Sequence, residues 1–209
     1  MKRIILVIFF FNIFLHLTPS ADAGKLTITS GESSKVVISK YKKIYFAGGC
    51  FWCMEESFDK VNGVIKVISG YSGGKLRNPT YEDVIYKDTG HVEAVEITYD
   101  PEKTSFIKLL NVFWKNIDPF DQFGQFCDKG KSYRSVVFFQ NEKQNKIIKK
   151  SFKSIEKKFN SKAATLIWKF EKFYPAEIYH QDYYQKNLLK YLAYKKACQR
   201  EEVLEKIWN

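Results

Sequence analysis

Lys43-Ile44-Tyr45-Phe46-Ala47-Gly48-Gly49-Cys50-Phe51-Trp52-Cys53-Met54-Glu55-Glu56-Ser57-Phe58-Asp59-Lys60 is the stretch on which the fold turns. Its first five residues read as a short strand, Gly48-Gly49 as a turn, and Cys50 to Lys60 as a helix with Phe51, Met54, Phe58 and Val61 on one side. A strand therefore passes through two glycines into a helix whose first turn carries a cysteine. There the sulfur meets unpaired backbone N–H groups and the positive end of the helix dipole, which favour the thiolate. The thiolate is the reactive form, so Cys50 is a candidate nucleophile, whereas a buried mid-helix cysteine is usually inert. Position alone leaves both roles open.

Working outward, Val64 to Tyr71 reads as a second strand, followed by the turn Ser72-Gly73-Gly74 and the loop Arg77-Asn78-Pro79. Thr80 caps a short helix through Val84. His91 to Tyr99 alternates as a strand closed by Asp100-Pro101, and Thr104 caps an amphipathic helix with Phe106, Leu109, Leu110, Phe113, Trp114 and Ile117 at helical spacing. A long irregular segment, Asp118 to Arg134, comes next; such loops in a compact domain are more often functional than idle. A strand at Ser135 to Phe139, a lysine-rich helix, a strand near Leu166 to Phe170 and a C-terminal helical region complete the chain. The order over Ile44 to Phe139 predicts an α+β fold: a ferredoxin-like split βαβ core with an antiparallel or mixed sheet, helices on one face and an irregular C-terminal region.

Along the strand from His91, Glu93 shares the phase of Val95, Ile97 and Tyr99. A carboxyl group among apolar neighbours has its charged form destabilised and can donate a proton near neutral pH. The other reading places Glu93 at the wet end of the strand, paired with His91 or a lysine.

The first residues, Lys2 and Arg3, an apolar run from Ile4 to Leu17 and Ala21-Asp22-Ala23, have the layout of a cleavable secretory leader. Asn12 and His16 interrupt the run, which is too short to span a membrane. The expected organisation is a signal peptide over 1–23, a flexible lead-in over 24–40 and a single catalytic domain over 41–209, exported to a periplasm or secreted, without a stable membrane anchor. The net charge of +11 comes from lysines spread along the chain. Many line the outside of the helix whose inner stripe is Ile147, Ile148, Phe152, Ile155 and Phe159, a solvated face that gives no reason to expect a nucleic-acid partner. Four cysteines in an exported chain could make two disulfides. Their lopsided spacing, with Cys50 and Cys53 close together and Cys127 and Cys198 far off, fits redox chemistry better, and it lacks the two paired clusters of a zinc site.

Gly48-Gly49-Cys50-Phe51-Trp52, Gly70-Tyr71-Ser72-Gly73-Gly74, Asn78-Pro79-Thr80-Tyr81, Thr89-Gly90-His91-Val92-Glu93 and Tyr133-Arg134-Ser135, in that order, resemble the A-type peptide methionine sulfoxide reductases. Tyr179-His180-Gln181-Asp182-Tyr183-Tyr184 resembles a further segment of that family. The resemblance implies a nucleophile at Cys50 and a proton donor at Glu93. It implies that Tyr81 and Tyr133 hydrogen-bond the sulfoxide oxygen, that Phe51 and Trp52 hold the S-methyl group, and that Asp128 is a polar substrate contact. It further implies reduction of methionine (S)-sulfoxide through a cysteine sulfenic acid and a disulfide, with no metal or organic cofactor. The expected partners are oxidised methionine-containing proteins and a thioredoxin-like external reductant, and the expected state is a monomer.

The thiol that collects the sulfenic acid is expected at Cys198, with Cys53 and Cys127 as alternatives. Relatives carry this thiol in a glycine-rich tail, whereas Tyr194 to Glu205 has no glycine and reads as helical. The rival reading is a secreted thiol-disulfide oxidoreductase using Cys50-Phe51-Trp52-Cys53 directly; it leaves Glu93 and both tyrosine loops without a purpose.

Overall fold

The computed structural model describes residues 40–209. The expected signal peptide and nearly all of the lead-in lie outside the described residues. Strand β1 (Lys42–Gly48) leads into α1 (Phe51–Asp59), followed by β2 (Val64–Ser72), α2 (Tyr81–Tyr86) and β3 (Val92–Tyr99). Helix α3 (Phe106–Lys115) precedes a two-stranded hairpin, β4 (Gly124–Gln125) and β5 (Asp128–Lys129), and a 3-10 turn at Lys131–Tyr133. Then come β6 (Ser135–Phe139), α4 (Glu142–Phe159), β7 (Leu166–Lys169), β8 (Phe173–Pro175) and a 3-10 turn at Ile178–His180. Helices α5 (Tyr183–Lys186), α6 (Leu188–Ala197) and α7 (Arg200–Trp208) end the chain.

The fold is mixed α+β. Six strands form one sheet in the order β7-β6-β1-β3-β2-β8. All neighbours are antiparallel except β6 and β7, which run parallel. In this register Phe46 lies opposite Val95, and Tyr71 opposite Glu93.

The inner face of the sheet carries Ile44, Phe46, Val67, Tyr71, Val95, Ile97 and Val137, and α1, α3 and α4 lie against it with Met54, Phe58, Leu109, Phe113 and Ile148. Phe46 stacks between Phe58 and Phe113, with ring centroids 5.5 and 5.0 Å away. The opposite face is also closed. Tyr45, Ala47, Ala94, Val136 and Phe138 are covered by Trp168, Phe170 and Phe173, and Tyr45 stacks on Phe170 at 3.8 Å. Helices thus cover one face and an aromatic segment around β7 and β8 the other, which is why β3 is buried along nearly its whole length.

Local signals behave as side-chain chemistry dictates, with one displacement. Thr80 caps α2 in a reciprocal capping box with Asp83. For α3 the cap is Ser105, whose hydroxyl accepts from the Lys108 amide, and not Thr104, which is buried one residue earlier. The segment 118–134 is ordered by Gln125, whose buried amide accepts from the Asp118 N–H and donates to its carbonyl, both at 2.8 Å. The C-terminal region is regular: three helices, with β8 added to the edge of β2.

Candidate active site

Cys50 occupies the N-cap position of α1. Gly49 puts it there: its φ is +79°, a conformation L side chains rarely adopt, and a Cβ at this position would run into the Gln125 side chain. The hairpin and the start of α1 therefore pack backbone to side chain. The Cys50 side chain makes no capping bond; instead the Phe51 N–H, first of the unpaired donors of α1, donates to Glu93 Oε2 at 3.0 Å.

Glu93 lies on β3 facing α1, with 2% of its surface exposed. His91 is not its partner: the His91 ring is engaged by the Gly74 N–H and the Leu76 carbonyl. Tyr81, at the start of α2, is set by Glu177, which accepts the Tyr81 N–H at 2.9 Å and the Tyr71 hydroxyl at 2.8 Å. Tyr133 closes the 3-10 turn before β6 and faces the same cavity as Tyr81. Trp52 stacks on Tyr183 with ring centroids 3.8 Å apart. Cys50, Phe51, Trp52, Tyr81, Glu93, Asp128, Tyr133 and Tyr194 together line a cavity of about 100 Å³. The seven pocket residues expected from the sequence thus meet in one place, and Tyr194, from α6, joins them.

Electrostatics follow from how dry this cavity is. Burial pushes the Glu93 carboxyl well above the usual range, against the opposing pull of the Phe51 N–H, so it holds a proton where an exposed glutamate would not. Burial likewise raises Tyr81, to about 12, and Tyr133 further, so both phenols remain donors. The helix-start argument for a resting Cys50 thiolate is outweighed by desolvation. Cys50 is 4% exposed and its thiol is raised, first by burial and then by its hydrogen bond to Cys53. Cys53, one helical turn on and 1% exposed, is the more acidic sulfur of the pair, drawn to about 7 by the Cys50 hydrogen bond and helped by the Arg200 charge. Tyr191 and Tyr194 of α6 pack over both sulfurs.

Cys198 is not a free thiol. It forms a disulfide with Cys127, their Cα atoms 4.9 Å apart, while Cys50 and Cys53 are free. Cys127 sits at the exposed tip of the β4–β5 hairpin and Cys198 caps the C-terminus of α6. Asp128, next to Cys127, accepts a hydrogen bond from the Tyr194 hydroxyl. His180 lies behind the pocket with its ring against Phe51 at 5.0 Å and Tyr81 at 4.6 Å, and burial lowers its pKa.

Sequence reasoning missed Tyr194 and Glu177. Tyr194 gave no signal among the chain's 13 tyrosines, and the clamp made by Glu177 appears only once β8 has brought it to the edge of β2. Among the described residues, Glu55, Asp59 and Asp182 bring three carboxylates together. Each already has a protein partner: Glu55 accepts from Ser69 and the Asp182 N–H, Asp59 from Tyr184, and Asp182 pairs with Lys186. No metal is assigned there.

The sequence model of the family "Peptide methionine sulfoxide reductase" matches residues 42–209. Among curated relatives, the peptide methionine sulfoxide reductase MsrA of Bacillus licheniformis is 48% identical over 166 residues, covering 78% of this chain and 92% of that protein. The MsrA of Listeria innocua is 47% identical over 170 residues, covering 80% and 96%. Among solved structures, reduced Mxr1 of Saccharomyces cerevisiae aligns with a TM-score of 0.68 at 31% identity, over 71% of this chain and 87% of that one. Methionine sulfoxide reductase A of Corynebacterium diphtheriae aligns at 0.65 and 28% identity, over 72% and 76%. Fold, pocket and relatives agree: the chain belongs to the peptide methionine sulfoxide reductases of the A type, and is an oxidoreductase that reduces methionine sulfoxide by cysteine redox chemistry.

Proposed function

We propose that the substrate is methionine (S)-sulfoxide, free or within a polypeptide, and that the protein repairs oxidised exported proteins. The observation that carries the reaction is the convergence of a cysteine, a buried carboxyl group and two phenols on one small, aromatic-walled cavity. The Cys50 sulfur attacks the sulfoxide sulfur as its proton passes to the Cys53 thiolate. Glu93 protonates the sulfoxide oxygen, while Tyr81 and Tyr133 donate hydrogen bonds to it, and the resulting hydroxyl passes to the Cys50 sulfur as the new sulfur–sulfur bond breaks. Phe51 and Trp52 enclose the S-methyl group, and Asp128 contacts the polar part of the substrate. Methionine leaves and Cys50 is left as a sulfenic acid.

We assign the next step to Cys53. Its sulfur displaces water from the sulfenic acid to give a Cys50–Cys53 disulfide, so two thiols supply the two electrons that the sulfoxide consumes. Cys53 is free and stands one helical turn from Cys50, whereas Cys198, the residue suggested by family resemblance, is already bonded to Cys127. An external dithiol of the thioredoxin type then reduces the disulfide by exchange; the yeast Mxr1 has been crystallised in complex with Trx2. Export rests on the leader-like composition of residues 1–23. The split βαβ reading of the core rests on the strand order β6-β1-β3-β2 with α1 joining β1 to β2. The thiol-disulfide oxidoreductase alternative is disfavoured because it leaves Glu93, Tyr81 and Tyr133, which line the same cavity as Cys50, without a purpose.

The test offers each epimer of a methionine sulfoxide peptide to the protein with dithiothreitol, with Cys50→Ser as control. Loss of S-epimer reduction in the control is expected. Reduction of the R epimer alone, or retained activity in Cys50→Ser, refutes the reading.

A further inference from the structure

Two covalently joined residues flank a hydrogen bond that borders the pocket. Tyr194 and Cys198 stand one turn apart on α6, the Cys198 N–H donating to the Tyr194 carbonyl at 3.0 Å. Cys127 and Asp128 are neighbours on the hairpin. The disulfide joins the second and third of these residues, and the Tyr194 hydroxyl joins the first and last through Asp128. Tyr194 also meets Trp52 edge-on, at 6.1 Å and 87°. Its hydroxyl acts on the Cys50 sulfur as well, opposing the rise that burial imposes on that thiol.

We propose that the Cys127–Cys198 disulfide is a positioning clasp and not a carrier of the reaction's electrons: it seats Tyr194 against Asp128 and Trp52, making Tyr194 a further binding residue for the sulfoxide substrate. Three features of α6 call for such a clasp. Its outer face, Leu188, Leu189 and Leu192, is exposed and adds nothing to its attachment. Its other side-chain hydrogen bonds, from Tyr191 and Lys195 to Glu56, hold it to α1 and do not reach the hairpin. Immediately after Cys198 the chain turns at Gln199 with φ of 50°, so the helix ends at the bridge. Without the bridge, a single hydrogen bond would hold Tyr194 to the hairpin.

The inference rests on Cys53 as the thiol that resolves the sulfenic acid, and the experiment keeps the two apart. Steady-state kinetics with a thioredoxin-type reductant are measured for Cys127→Ser/Cys198→Ser, Tyr194→Phe, the triple variant and Cys53→Ser. The double serine variant should continue through many turnovers with KM for a sulfoxide peptide raised about fivefold, the scale of one hydrogen bond. Tyr194→Phe should raise KM by the same factor, and the triple variant no further, because both changes remove one contact. Alkylation with a mass label during turnover should leave Cys127 and Cys198 of the wild type unlabelled. A double variant that stops after one turnover, labelling of that pair in step with turnover, or an unchanged KM each overturns the clasp. If the serine pair does not fold, Tyr194→Phe and the labelling decide the matter. Full cycling by Cys53→Ser would remove the role given to Cys53, leaving the KM comparison between the serine pair and Tyr194→Phe to judge the clasp.

Discussion

Replacing Glu93 by glutamine tests the reaction at the group that must supply a proton. The amide matches the carboxyl group in shape, and its oxygen can still accept from the Phe51 N–H, so α1 should start where it does now. What is lost is acidity. A positioned general acid contributes about 10²–10⁴ in rate, or about 3–5 kcal/mol of barrier. The reduction step, measured in single turnover by acid quench and quantification of methionine, should slow by that factor. The pH profile gives a second signature. Burial raises the Glu93 pKa, so the acid form, and the wild-type rate it supports, is lost only as pH rises through that raised value. Glu93→Gln should lack that limb. Stability should move the other way. The folded protein keeps a proton that the unfolded chain releases near pH 4.3, so the wild type loses stability as pH climbs from there to the folded pKa. The glutamine variant should therefore unfold at higher denaturant than the wild type at pH 8. A rate within tenfold of wild type, or an unaltered alkaline limb, refutes the assignment of Glu93 as the acid.

Three further outcomes follow from the same geometry. Tyr81→Phe and Tyr133→Phe should each slow single-turnover reduction about tenfold, and the double change less than the product of the two, because both phenols serve the same oxygen in one cavity; strict multiplicativity would argue for separate tasks. Gly49→Ala should destabilise the protein by about 1–3 kcal/mol in urea titration, since a side chain there meets both a positive φ and Gln125; an unchanged midpoint would sink that account of the turn. Glu55, buried and raised to about 7 chiefly by desolvation, costs stability as pH rises from about 4.3 to 7. Glu55→Gln should thus be relatively more stable at pH 8 than at pH 4, and a pH-independent difference in unfolding free energy would contradict it.

Much of this arrangement could be read from residue order because it depends on neighbours in sequence. The passage of β1 through Gly48 and Gly49 into α1, the Thr80 cap, the phase of Glu93 along β3 and the apolar stripe of α4 are local patterns, and they appear where the patterns put them. The positions that escaped depend on distant segments meeting. The place of Cys50 at a helix start speaks for a thiolate, but Tyr191 and Tyr194, more than a hundred residues later, pack against it and help to desolvate it. The pairing of Cys127 with Cys198 spans 71 residues and has no signature in spacing. Strand β8 is three residues long, too short to show an alternation, yet it carries the chain to Glu177. Ser105 and Thr104 are both good caps, and only the backbone path chooses between them.

Glu93 also has a duty at the other end of its hydrogen bond. Cys50 leaves α1 without a side-chain cap, and the carboxyl group reaching across from β3 supplies one. Helix start and proton store are thus the same group, and each passage of the acid's proton to a sulfoxide changes the charge on the oxygen that the Phe51 amide feels. That amide is a built-in indicator. Its resonance frequency and its exchange with solvent should follow the ionisation of Glu93, so that the state of the acid can be watched in the resting protein without substrate, label or turnover.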